Sequence, residues 1–204
     1  MDNLKDTYLT IEKNSKASFK EKGSKFICLA YSVESEERVK EIIKELRTEY
    51  YDAGHHCYGF RIGSDYKTYR FSDDGEPSGT AGKPIYGQIQ SLELTNVLVV
   101  VIRYFGGTKL GVPGLIKAYK TGAIEALEAN TIVEKQISSV CEVKFEYSKM
   151  NEIMRVIKEY DLKILKQDFQ TSCLLKFEVR LSKVEEVTNK LVGLQFEPNY
   201  LRQS

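Results

Sequence analysis

Residues 97–102 read VLVVVI and run directly into RYFGGTKLGVPGLIKAY. Six consecutive aliphatic residues leave no polar face, so the segment reads as a central strand covered on both sides. That requirement points to a sheet with material packed on each face, in an α+β chain. The loop beyond the strand poses a second question. Arg103, Gly106, Gly107 and Lys109 put bare backbone and positive charge where a buried strand ends.

The pattern around this strand is legible. Weak alternation gives strands over 7–13 and 17–20 with Asn14-Ser15 between them, which reads as a hairpin. A third strand covers 26–33. A helix starts at Ser35, with Glu36 and Glu37 at its positive end. Strands over 55–62 and 69–71 lead to the loop SDDGEPSGTAGKP, residues 72–84. A helix over 83–94 carries Pro84 in its first turn, and Pro113 opens another that Asn130 stops.

Beyond residue 130 the texture changes: thirteen of the fourteen glycines lie at or before Gly122. The tail reads strand 138–147, helix 151–160, strands 162–167 and 172–181, helix 184–191 and strand 194–200. That βαββαβ order is the ferredoxin-like split. The 204 residues suit two modest domains, drawn at 1–133 and 134–204.

Charged residues make up 29% of the chain, yet net charge is only +1, so anion binding would need a local patch. Cys28, Cys57, Cys141 and Cys173 lack CxxC or Cys/His zinc spacing and read as buried thiols in a reducing compartment. The first residues show no basic-then-apolar leader, and no apolar run approaches the ~18 residues of a membrane span. The expectation is a cytoplasmic protein with no membrane association, metal or cofactor.

Between Gly79 and Lys120 stand five cations and one acid, Glu93. Lys83, Arg103, Lys109 and Lys117 would meet phosphates, and Gly79, Gly82, Gly106 and Gly107 would let the backbone approach them. Neither glycine loop has Walker or GxGxxG spacing. Asp73, Asp74 and Glu76 cap the turn by default, with magnesium binding or repulsion of phosphate as alternatives. His55 and Cys57 share a strand face, so a Cys–His–Asp nucleophile can be drawn. A thiol inside a strand more often packs as a small hydrophobe, and no catalytic residue is assigned. His55 or His56 would instead supply a switchable positive charge. Tyr86, Tyr104, Phe105 and Tyr119 flank the loops, to stack on bases or to pack in the core.

SDDGEPSGTAGKPI and VVVIRYFGGTKLGVPGLIKAY together closely resemble the signature of the YigZ/IMPACT family. KGSKFI (residues 22–27) and HHCYGFRIG (residues 55–63) resemble further segments of it, and the likeness spans essentially the whole chain, as in bacterial two-domain members. One departure is Val112-Pro113, where small residues, often Thr-Gly, are expected.

The resemblance implies a first domain like the second domain of a small-subunit ribosomal protein, elongation factor G domain IV and the GHMP kinases. It implies a tail like the last domain of elongation factor G. Eukaryotic members regulate translation by competing for a scaffold that activates the amino-acid-starvation kinase. Their additional N-terminal RWD domain is not expected here, so that partner is not carried over. Three readings are open. The first is a non-enzymatic, translation-linked protein binding RNA or a ribosome-associated complex. The second is an enzyme or nucleotide binder acting on a phosphorylated small molecule. The third is a protein–protein regulator.

Overall fold

The computed structural model of the chain describes residues 6–169 and 173–203. It divides into two units: Tyr8–Lys135, and the segment up to Thr7 together with Gln136–Ser204. No helix among the described residues is long and apolar enough to cross a membrane.

The first unit contains β1 (Thr7–Ile11), β2 (Ser15–Glu21), β3 (Ser24–Ser32), α1 (Glu36–Glu49), β4 (His55–Ile62), β5 (Thr68–Ser72), α2 (Gly82–Ser91), β6 (Val97–Tyr104), α3 (Gly111–Glu128) and β7 (Ile132–Gln136). Five strands form one sheet in the order β2-β3-β6-β4-β5, with β6 at its centre. The aliphatic run accounts for that position. Val97, Val99 and Val101 belong to a core shared with Ile85 and Ile89 of α2 and Leu115 and Tyr119 of α3. Leu98, Val100 and Ile102 belong to the opposite core, with Val39, Ile42 and Leu46 of α1. Two-residue alternation thus sends the strand's side chains into two separate layers.

Ser35 caps α1 by accepting from the Arg38 amide at 3.2 Å. The α2 helix stops at Ser91, short of the expected end. Glu93 and Asn96 have φ of 53° and 54°, which breaks the turn, and Asn96 Oδ1 accepts from the Gly63 amide at 2.9 Å. The α3 helix begins two residues before Pro113, whose missing N–H lies in the first turn, where it has no intrahelical partner to lose.

The expected hairpin of the first two strands does not form. β1 pairs with β7 in a two-stranded sheet, and β2 pairs with β3. The link between β2 and β3 is Lys22-Gly23, with φ of 45° and 81°, the positive pair that a two-residue hairpin turn requires. Alternation locates these strands, but turn chemistry chooses their partners.

The second unit contains β8 (Ser138–Phe145), α4 (Met150–Glu159), β9 (Lys163–Phe169), β10 (Cys173–Arg180), α5 (Val184–Gly193) and β11 (Asn199–Gln203). Its sheet order, β11-β8-β10-β9, is antiparallel throughout and is the ferredoxin-like arrangement. Alternate residues of β8 and β10, among them Cys141, Val143, Leu175 and Phe177, pack under Ile153, Val156 and Leu191. The last strand starts five residues later than expected. Gln195 turns at φ 62°, and the Phe196 amide donates back to Leu191 O at 3.0 Å, seating its ring against Phe145. Asp6 is tied into this unit. Its carbonyl accepts from the Ile137 amide at 2.6 Å, and its carboxylate accepts from the Ser182 amide at 2.6 Å.

Two glycines make opposite predictions. A Cβ on Gly106 would lie 1.9 Å from the Gly23 carbonyl carbon, backbone against backbone. Gly106→Ala is expected to cost ~2 kcal/mol or more in urea unfolding. Gly87, inside α2, has open space at that position, and Gly87→Ala is expected to stabilise by about 0.5–1 kcal/mol.

Candidate functional site

Both signature loops leave the sheet at the same end. His55 pairs with Arg103 in the ladder, Ser72 pairs with Tyr58 near the start of β4, and Lys25 of β3 pairs with Tyr104. The segment after Ser72 then folds back on itself around a carboxylate. Asp73 Oδ1 accepts from the Ala81 and Gly82 amides at 2.9 and 2.8 Å, and Oδ2 accepts from Gly79 at 2.8 Å. The loop therefore forms an anion nest whose occupant is its own Asp73. That carboxylate also caps α2, whose N-cap Ala81 supplies no side-chain acceptor.

Asp74 turns at φ 43° and reaches a second set of donors. Its carboxylate accepts from the His56 amide at 2.6 Å and from Arg47 of α1 at 2.5 Å. His55 Nδ1 stands 2.9 Å from the Asp74 carbonyl; a carbonyl only accepts, so this nitrogen carries the proton. Burial, then the Arg47 charge, pushes the His56 imidazole below its ordinary pKa.

Glu76 lies beneath these turns with a side chain only 4% exposed. Its Oε1 accepts from Arg103 at 2.7 Å and from the Tyr119 hydroxyl at 2.7 Å. Burial, together with Cys57 and Glu76 beside it, raises the Tyr119 pKa, so the phenol stays protonated as a donor. The Arg103 guanidinium also donates to Ser24 Oγ at 3.2 Å, which in turn accepts from the Gly106 amide at 3.3 Å. It lies between two rings, 5.7 Å from Phe26 and 5.6 Å from Phe105.

This geometry corrects several expectations. Arg103 is 5% exposed and neutralises Glu76, so it is not a phosphate contact. The amides of Gly79 and Gly82 are occupied by Asp73. Gly82 instead permits close packing, since a Cβ there would meet the Ser72 backbone at 2.7 Å. Cys57 is fully buried and donates to Asp73 O, and burial raises its pKa, so the thiol is no nucleophile and no Cys–His–Asp site assembles. Among the described residues no group of three or more His, Cys, Asp or Glu is placed to hold a metal. Tyr119 and Tyr86 are core residues, and Tyr104 bonds Asp52.

The segment 105–109 has a different character. Phe105, Gly106, Gly107, Thr108 and Lys109 are all exposed, Phe105 by 58%. Lys83 at the start of α2 and Lys117 and Lys120 on α3 are exposed as well. None of these four lysines has an ion-pair partner among the described residues. Sequence reasoning misses Arg47, Ser24 and Tyr119 as partners of the loop. KGSKFI and LIKAY carry the only signal for the last two, because the partners lie far apart along the chain.

The Impact N-terminal domain family matches residues 22–127. The IMPACT family member YigZ of Escherichia coli K12 is 36% identical over 172 residues, 83% of this chain and 84% of that protein. The IMPACT family member YvyE of Bacillus subtilis is 32% identical over 153 residues, 75% of this chain and 70% of that one. A crystal structure described as that of a hypothetical protein aligns with a TM-score of 0.74 at 31% identity, covering 98% of this chain and 100% of its own.

Two measurements test the cluster. Glu76→Ala leaves Arg103 buried without its counter-charge and is expected to cost ~3–5 kcal/mol. Arg47→Ala, on the more exposed pair with Asp74, is expected to cost ~1 kcal/mol or less. Equal losses would show that Glu76 holds no special place. In acid, the unfolded chain protonates His56 near its ordinary 6.5 before the folded chain does. Stability is therefore complete above that value and falls as pH drops through it toward the lower folded pKa. His56→Gln is expected to flatten this part of the pH–stability curve.

Proposed function

The chain belongs to the IMPACT family, and from that premise we propose that it acts in translation regulation as a binding protein, contacting structured RNA or a ribosome-associated complex. The observation that carries this reading is the exposed segment 105–109 with its unpaired lysines. Lys109 lies on the segment itself, while Lys83 and Lys117 stand on α2 and α3, the two helices that pack on one face of the sheet. Of the nearby acids, Asp74 and Glu76 are offset by Arg47 and Arg103, and Asp73 is turned onto three backbone amides.

Bare backbone at Gly107, where an added Cβ would meet open space, lets a phosphate chain come close, whereas Gly106 is already packed against Gly23. Phe105, backed by the Arg103 guanidinium, offers a ring on which an unpaired base can stack. The family's role in translation, known from its eukaryotic members, supplies the setting. An enzyme reading would place its chemistry on the acids of the glycine loop. That reading finds less support, because those acids are already committed to amides, Arg47 and Arg103.

The test is filter binding of the full chain to transfer RNA and to ribosomal RNA across a salt series. Each lost phosphate contact lowers the salt slope by ~0.7–0.9, so Lys83→Glu/Lys109→Glu/Lys117→Glu is expected to flatten it by about 2 or more. Phe105→Ala is expected to weaken binding by ~1–3 kcal/mol where an unpaired base is available. A triple variant that melts like the parent and binds as tightly would remove the proposal.

A further inference from the structure

The other face of the five-stranded sheet carries an unexplained cavity. Among the described residues of the first unit, α1 is the helix that packs on this face, and beside it lies a cavity of about 280 Å³. Its apolar wall comes from Val39 and Ile43 of α1 and from Tyr58 and Phe60 of β4. The Tyr58 and Phe60 rings are close to parallel, with centroids 6.5 Å apart and planes 11° from parallel. Four cations and one acid complete the lining.

Charge on α1 is sorted by face. Arg38 pairs with Glu41 and Glu45 on one side. Lys40, Lys44 and Arg47 succeed one another at i+4 and i+3 along the side that lines the cavity. Arg47 already holds Asp74, and Arg70 stands 3.6 Å from Glu36, the one acid in the lining. Lys40 and Lys44 are exposed and have no ion-pair partner among the described residues. Two like charges one helical turn apart, facing an aromatic wall, match an anion joined to a planar ring.

We propose that this cavity binds a nucleoside phosphate, with its phosphate on Lys40 and Lys44 and its base against Tyr58. The volume accommodates an occupant of nucleotide size. It lies near the lower edge of the ~300–1,000 Å³ range of small-molecule sites, which suits a single nucleotide. It also far exceeds the space an isolated phosphate needs. Stacking on Tyr58 and charge from the lysines would then act together, as they do where aromatic and cationic groups jointly hold nucleotides. This site is independent of the RNA-binding reading, which uses α2, α3 and the segment 105–109.

Titration calorimetry of the full chain at low salt tests it, with adenosine 5′-monophosphate as probe. One site is expected, and adenosine or inorganic phosphate alone should bind at least tenfold more weakly. Lys40→Glu/Lys44→Glu and Tyr58→Leu should each weaken the nucleotide at least tenfold, while Lys83→Glu/Lys117→Glu should leave it unchanged. Amide chemical-shift changes on the unmodified protein, expected at Ile43, Lys44 and Tyr58, locate the site without relying on any variant. Four results would each overturn the proposal: no binding of the monophosphate, equal binding of inorganic phosphate, tighter binding of a poly-glutamate peptide, or shift changes confined to residues 105–120.

Discussion

The carboxylate of Glu76 sits almost fully out of water, and the signature region is arranged to meet the electrostatic demand this creates. Removing an ion from water costs several kcal/mol unless strong donors replace the solvent. Arg103 and Tyr119 do so from two different elements, the end of β6 and the interior of α3. Reaching them requires the loop after β5 to fold back over the sheet, which Asp73 secures by gathering three amides. It also requires the next loop to lie against Gly23, which only a glycine at 106 allows. Exchanging such a pair for hydrophobes often leaves stability unchanged, whereas removing one partner leaves the other charge buried and unpaired.

The same arrangement sorts charge. Acids of the signature turn inward onto amides and arginines, leaving lysines as the charges that face solvent. A chain with a net charge of +1 thereby presents a local positive surface. On the α1 helix, Arg38 is tied to Glu41 and Glu45 on one flank, while the other carries Lys40 and Lys44 beside the paired Arg47 and Glu36. The two cationic regions differ in surroundings: one borders a projecting glycine segment, the other an aromatic-walled hollow.

How much of this can be read from the residues depends on the range of the interactions. The central strand is legible because VLVVVI fits no other environment, and Ser35 is legible because capping acts within three residues. Pairing of the first strands is not, since alternation carries no information about the partner. Arg103 resembles a ligand-binding cation because its counter-charge lies 27 residues away and Tyr119 a further stretch downstream. The glycines do mark places of close approach, but the group that approaches Gly82 and Gly106 is this chain's own backbone. Lys40 and Lys44 give no signal, because alternating charge on an amphipathic helix looks the same whether or not a hollow lies beside it.

Asp6 belongs with strands beyond residue 135, so the larger unit is threaded as an insertion within the smaller one. During synthesis from the amino end, everything the larger unit needs emerges first. Asp6 must meanwhile wait for Ser182, 176 positions later. The order of maturation is thus written into the threading: the inserted body can settle while the strands that complete the other unit are still being made.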